Sequence, residues 1–222
     1  MSRSTAVSAA PPVAPGSTDV PVLYRAARPP LRALAARFFD FSVDGTAHLP
    51  AQGPYIVAAN HHNYLDGVVL ALAVPVGVSF LVMPRVFRAT PLHPTFHRLI
   101  GSIELKLNGS DVGGLRRALA ALSAGRVVGI FPEGPFSVRG RLEAGLPGVA
   151  LLAMRSGVPV VPAGIRGTYE ALVGRHCYVP RRHPLGVRFG APRRFSAEGA
   201  GDRAARERVT ALIMGDIAAL LS

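Results

Sequence analysis

Tyr55-Ile-Val-Ala-Ala-Asn-His-His-Asn-Tyr-Leu-Asp66 runs from apolar residues into a polar cluster and straight on into an apolar helix-like stretch, Asp66–Val74. An apolar run without alternation predicts a strand buried on both faces, as in a sheet covered by helices. The pattern repeats along the chain. Further strands are predicted over Val78–Val82, Ser102–Leu105, Val127–Phe131, Val158–Ile165 and Leu185–Phe189. Helical spacing is predicted over Leu92–Ile100, Val112–Ala124, Leu146–Ser156 and Asp202–Leu221. Short β-branched strands alternating with helices define an α/β fold: one domain with a central, mostly parallel or mixed sheet flanked by helices. Val209, Leu212, Ile213, Ile217, Leu220 and Leu221 form the packing face expected of the last helix.

The whole chain has 222 residues, 49% of them apolar and 17% charged, which excludes a disordered polymer. Its net charge is +12, almost all arginine, since Lys106 is the single lysine. Such a surface attracts nucleic acid, anionic lipid head groups or phosphorylated ligands such as coenzyme A. One cysteine, Cys177, excludes an internal disulfide and a cysteine-cluster zinc site. Residues 1–20 are rich in Ser, Ala, Pro and Thr and read as a disordered tail. Residues 21–40 form a basic amphipathic segment, with Arg25, Arg28, Arg32 and Arg37 beside Leu31, Leu34, Phe38 and Phe39. It reads equally as a packed N-terminal helix or as an interfacial helix with Arg on lipid phosphates. Pro29 and Pro30 break its first half, so only Leu31–Phe39 need be helical. Residues 41–222 form the folded domain. The uncharged run Gly67–Pro84 is divided by Pro75 and Gly77 and reads as helix then strand, not as a membrane span.

The chemistry gathers at the ends of predicted strands, where α/β sheets bind ligands. His61 precedes Asp66 by five residues, so the turn can fold the carboxylate onto one imidazole nitrogen and leave the other to take a proton from a hydroxyl. Alternatively, Asp66 merely caps the helix. No G-x-S-x-G elbow supplies a nucleophile, so a His–Asp pair here suits direct transfer to a substrate hydroxyl. Val127-Val-Gly-Ile-Phe-Pro-Glu-Gly-Pro-Phe-Ser137 ends a second strand in Glu133, suited to binding substrate hydroxyls or orienting a base. Val158–Gly167, with two prolines and two glycines around Arg166, reads alone as an irregular edge strand.

In this order and spacing the segments resemble the glycerolipid acyltransferase family of lysophosphatidic acid acyltransferases. The first motif, N-H-x-x-x-x-D, is matched by Asn60, His61 and Asp66. The third, F-P-E-G-x-x-S, is matched by Phe131, Pro132, Glu133, Gly134 and Ser137, and the apolar fourth by Val158–Pro162. The resemblance implies the family's glycerolphosphate acyltransferase-like fold. It also implies membrane-associated transfer of a fatty acyl group from acyl-CoA or acyl carrier protein to a lipid hydroxyl, most naturally 1-acyl-sn-glycerol-3-phosphate in phospholipid biosynthesis. His61 is then the base, Asp66 orients it, and Asn60, Glu133, Gly134 and Ser137 serve substrate binding. Two family arginines associated with the acceptor phosphate are replaced by Leu107 and Phe136, with Lys106, Arg139 and Arg141 the nearby cations able to compensate, and Arg166 is a further candidate for substrate binding. Backbone N–H groups after Asn60, or nearby basic side chains, are expected to hold the oxyanion.

No metal or cofactor is expected beyond the thioester co-substrate, and the expected setting is peripheral, on the cytoplasmic face of an anionic membrane. Two other readings stay open. One is acyl transfer to a glycolipid, aminolipid or pigment without phosphate. The other is an inactive basic module for lipid or nucleic acid, although no nucleic-acid-binding pattern is present. His93 and His97 have zinc-like spacing, but Pro94 replaces the glutamate and no third ligand follows, so they read as a surface helix start. His62 reads as a bystander.

Overall fold

The structure, a computed structural model, describes residues 22–106, 112–137, 139–172 and 179–222. The expectations for the tail 1–20 and for Leu107 and Cys177 fall outside these residues.

Among the described residues seven strands form one mixed sheet: β1 (Ser42–Asp44), β2 (Tyr55–Ala59), β3 (Val78–Val82), β4 (Ile103–Glu104), β5 (Val127–Ile130), β6 (Val160–Arg166) and β7 (Gly186–Phe189). Their spatial order is β1-β7-β6-β2-β5-β3-β4. From β6 to β4 all neighbours are parallel, while β7 runs antiparallel to β6 and pairs in parallel with β1. The helices are α1 (Val22–Phe39), α2 (Leu65–Ala73), α3 (Pro84–Phe87), α4 (His93–Leu99), α5 (Val112–Ser123), α6 (Gly148–Ser156), α7 (Thr168–Ala171) and α8 (Arg203–Ala219). None is long and apolar enough to cross a membrane among the described residues.

The unbroken apolar run of β2 follows from its central place. Tyr55, Val57 and Ala59 enter one core with Val69 and Leu70 of α2, and Ile56 and Ala58 enter the other with Leu122, Leu152 and Ile217 of α5, α6 and α8. Side chains alternate across a strand, so both faces must be apolar when helices cover both. On α8, Asp202 caps the first turn by accepting from Ala204 and Ala205 N–H. Its buried face is narrower than expected: Ile213 and Ile217 are inside, but Leu212 is exposed.

Two readings change. The segment expected at an edge is interior, because β6 lies between β7 and β2. Its Pro162 is tolerated because the backbone there faces β7 where the ladder ends, with Gly190 N–H donating to Pro162 O and pairing resuming at Ala163. Likewise α1 continues through Pro29 and Pro30 from Val22, although only its second half was required to be helical. The carbonyls that lose their partners belong to Arg25 and Ala26, both exposed, so water can serve them.

The connections define the site. From β2 the chain crosses through α2 to β3, and from β5 it crosses through α6 to β6 on the other side of β2. The two helices cover opposite faces. The carboxyl ends of the adjacent strands β2 and β5 therefore border a crevice of the kind that binds ligands in open α/β sheets.

Candidate active site

His61 lies just past the end of β2 and Asp66 in the first turn of α2. The intervening turn brings His61 Nδ1 to 2.9 Å from Asp66 Oδ2. The same oxygen accepts from His62 N–H at 2.6 Å and Asn63 N–H at 2.7 Å, so the fully buried carboxylate shapes the turn as well as facing the ring. With Nδ1–H donated to Asp66, Nε2 is left as a proton acceptor. Phe131 stacks on the imidazole with centroids 3.8 Å apart and planes 7° apart, and Phe136 meets it edge-on at 4.5 Å. This aromatic sandwich was not anticipated, though both phenylalanines sit inside the Glu133 segment.

Glu133 is buried and accepts His61 N–H through Oε1 and Glu143 N–H through Oε2, each at 2.7 Å. Burial raises its pKa, and the two N–H donors partly oppose this. Ser137 N–H donates to His61 O at 2.8 Å, and its hydroxyl donates to Arg141 O at 2.6 Å. The loop after β5 is thus pinned to the loop after β2 by two bonds at His61, one from its N–H to Glu133 and one to its carbonyl from Ser137. Gly134 has φ +77°, and a Cβ there would meet Leu146 Cδ1 at 2.7 Å, so the turn after Glu133 requires glycine. Asn60 is fully buried, donating to Ile165 O at 2.9 Å and accepting Ile165 N–H at 2.7 Å. It extends β2 by imitating a backbone pair with β6. Asn63, which sequence reasoning passed over as a turn residue, similarly donates to Thr168 O at 2.7 Å.

A cavity of about 1260 Å³ opens beside the dyad, with walls that are mainly apolar. Of the residues nominated from sequence, His61 and Gly134 line it. Asn60, Asp66, Glu133 and Ser137 lie behind the wall as supports, and Lys106, Arg139, Arg141 and Arg166 are not in it. Arg139 and Arg141 point to solvent, and Arg166 Nη1 lies 3.5 Å from Ser222 O. The cations that do line the cavity are Arg28, Arg155 and Arg206, which no motif singled out. The expected oxyanion donors are also taken: the N–H groups of His61, His62 and Asn63 all serve carboxylates. No group of three or more potential metal ligands occurs among the described residues, and His97 is buried beside Phe87 instead of starting a surface helix.

His62 faces away from this chemistry. Its ring meets Tyr169 edge-on at 5.9 Å, and neither ring nitrogen has a partner. Burial lowers its pKa below the ordinary 6.5, against a partial pull upward from Asp66 and Glu170. The unfolded chain then binds a proton near 6.5 that the folded chain refuses, so stability is full above that pH and falls as the pH drops from it toward the lowered value. His62→Gln is expected to weaken this acid sensitivity while lowering turnover far less than His61→Ala. Melting temperature against pH checks the first, and an unchanged slope would show that His62 titrates normally.

The carboxyl ends of the parallel core strands thus hold a His–Asp pair with a large, mainly apolar cavity alongside. The acyltransferase family model matches residues 40–166, more than half of the chain, and the chain belongs to that family. Over 134 residues it is 30% identical to the chloroplastic 1-acyl-sn-glycerol-3-phosphate acyltransferase of Arabidopsis thaliana, covering 59% of this chain and 37% of that protein. The Brassica napus counterpart gives 30% over 134 residues, 59% and 38%. The chain therefore spans less than half the length of these curated relatives. The crystal structure of the 1-acyl-sn-glycerophosphate acyltransferase of Thermotoga maritima has the same fold, with a TM-score of 0.65 at 24% identity over 86% of this chain and 80% of that one.

Proposed function

We propose that this protein transfers a fatty acyl group from a thioester, on coenzyme A or acyl carrier protein, to a lipid hydroxyl, with 1-acyl-sn-glycerol-3-phosphate as the acceptor. The observation that carries the reading is the 2.9 Å bond between His61 Nδ1 and Asp66 Oδ2, set beside an apolar cavity. His61 Nε2 takes the proton of the acceptor hydroxyl as its oxygen attacks the thioester carbonyl. Asp66 stabilises the imidazolium that results. The tetrahedral intermediate expels the thiolate, the C–S bond breaks, and His61 returns the proton to sulfur. An ester and a free thiol leave, and no cofactor takes part. The protein works peripherally on the cytoplasmic face of a membrane, where its positive charge meets anionic lipid. The phosphorylated acceptor is drawn from the names of the plant and Thermotoga relatives.

One observation favours a second acceptor. Phe136, at a position where the resemblance places an arginine, packs against both His61 and Tyr64 at 4.5 and 4.6 Å. A phenyl ring cannot bind phosphate, and none of Lys106, Arg139 or Arg141 lines the cavity. An uncharged glycerolipid or other non-phosphorylated hydroxyl suits the aromatic wall at Phe136, whereas a phosphate would have to reach Arg28, Arg155 or Arg206, the cations that line the cavity. Thiol release from acyl-CoA with a panel of acceptors separates the readings. A charge-assisted bond to phosphate contributes roughly 1.5–3 kcal/mol, or about tenfold to a hundredfold in kcat/KM. Under the first reading lysophosphatidate exceeds monoacylglycerol by at least that factor. Under the second the order reverses, and Phe136→Arg improves use of lysophosphatidate. No thiol release with any acceptor would sink both.

A further inference from the structure

One face of α6 lines the cavity from its first turn to its last. Gly148, Leu151, Leu152 and Arg155 stand at i, i+3, i+4 and i+7, and all four lie in the wall. The start of this stripe is tied to the dyad. Leu146 N–H donates to Pro132 O at 2.8 Å, and the neighbouring Phe131 is the ring stacked on His61. The stripe ends on a cation. Arg155 is exposed and lies two helical turns beyond Gly148, about 10 Å along the axis at roughly 1.5 Å per residue.

A second cation closes the same end. Arg206, near the start of α8, is half-buried and lines the cavity beside Ala200 and Gly201. Its Nη1 donates to Ala200 O at 2.9 Å, which holds the guanidinium against the wall. Neither Arg155 nor Arg206 forms a salt bridge among the described residues. The surface at both ends of the stripe is bare, since a Cβ added at Gly148 or Gly201 would meet nothing within 4 Å. This arm of the cavity therefore runs from the dyad along an apolar helix face to two guanidinium groups without a carboxylate partner.

Chain length decides what such an arm can hold. An acyl chain laid along it would end against two charges, which is unfavourable. In a lysophosphatidate about four bonds separate the attacking oxygen from phosphorus, roughly 5 Å, so its phosphate stays close to His61. In a phosphopantetheine thioester about a dozen bonds separate sulfur from phosphorus, roughly 15 Å when extended. The thioester reaches from His61 to the far cations; the acceptor does not.

We propose that Arg155 and Arg206 form the phosphate site of the acyl donor. The pantetheine arm lies along the α6 stripe, with the thioester carbonyl at His61 and the phosphate on the two guanidinium groups through charge-assisted bonds. Resting on the acyl-transfer reading, this gives the donor its place in the cavity. Coenzyme A and an acyl carrier protein present the same phosphate, so either carrier can use the site.

Donors cut back at the phosphate test it. Acyl-CoA, acyl-4′-phosphopantetheine and acyl-pantetheine are compared on the full chain, with uncharged monoacylglycerol as acceptor. The parent is expected to favour the phosphopantetheine over the pantetheine donor by about tenfold to a hundredfold in kcat/KM, through the donor KM. Arg155→Gln with Arg206→Gln should abolish that preference, lower acyl-CoA in parallel, and leave the rate with acyl-pantetheine unchanged. An acylated carrier protein separates the two sources: whichever carrier the parent prefers should lose its advantage in the double variant. Arg208→Gln, exposed and outside the cavity wall, should match the parent. If the double variant does not fold, Arg155→Gln alone should lose part of the preference. Free coenzyme A, titrated calorimetrically without turnover, should bind the double variant about tenfold or more weakly than the parent. A parent indifferent to the phosphate, a preference that survives in the double variant, or a raised KM for lysophosphatidate in place of the donor would overturn the assignment. Absence of thiol release with every acceptor, with coenzyme A binding still lost in the double variant, would count against the proposed reaction and leave the phosphate site standing.

Discussion

His61→Ala lowers turnover by about 10²- to 10⁴-fold, the usual cost of a missing general base, while the melting temperature stays near that of the parent. His61 lines the cavity and belongs to neither apolar core, so its truncation costs the ring contacts with Phe131 and Phe136 but leaves both cores in place. Asp66 demands a gentler substitution. Its carboxylate is fully buried and accepts two backbone N–H groups besides facing the ring, so alanine would open the turn. Asp66→Asn keeps an oxygen for the turn but removes the charge that stabilises the imidazolium, and a comparable loss of turnover is expected. Steady-state thiol release and thermal melting on the same preparations check both. Near-parental turnover in a folded Asp66→Asn would reduce Asp66 to a capping residue.

Glu133→Ala is expected to lower stability by about 2–6 kcal/mol, because it strands two backbone N–H groups at roughly 1–3 kcal/mol each. Those groups belong to His61 and Glu143, so the loss reaches the base directly. Turnover should fall with kcat affected more than the KM for acceptor, since Glu133 stands behind the cavity wall. Glu133→Gln, which retains one acceptor oxygen, should recover part of both losses. The opposite split, an unchanged melting temperature with a raised acceptor KM, would return Glu133 to the substrate-binding role expected from sequence. Melting curves and acceptor titrations decide between them.

The parts of this molecule that could be read in advance are those whose cause is local. Tyr55–Ala59 and Val78–Val82 were delimited as they stand, because a strand buried on both faces must be apolar throughout. The His61–Asp66 meeting was also legible, since five residues across a strand-to-helix turn suffice to close it. What escaped depends on partners far along the chain. Asn60 looked like a substrate ligand, yet Ile165 consumes both ends of its amide. Val158–Gly167 looked like an edge because nothing local announces that β7 will cover it. The identity of the cavity cations, Arg28, Arg155 and Arg206, is set by the packing of α1, α6 and α8, which carry no motif. Strand β1 is too short, at three residues, to leave a periodic trace.

The Asn60–Ile165 and Asn63–Thr168 bonds each span 105 residues. During synthesis the His61 turn can be held by Asp66 and by the loop after β5, but the two amide anchors to β6 come only later. Closing so wide a loop is entropically slow, and it belongs to the late part of folding. The reactive geometry is accordingly a property of the finished sheet. A chain arrested before Ile165, or one whose β6 has peeled away, retains the residues of the dyad but lacks the two amide anchors that fix their turn to the sheet.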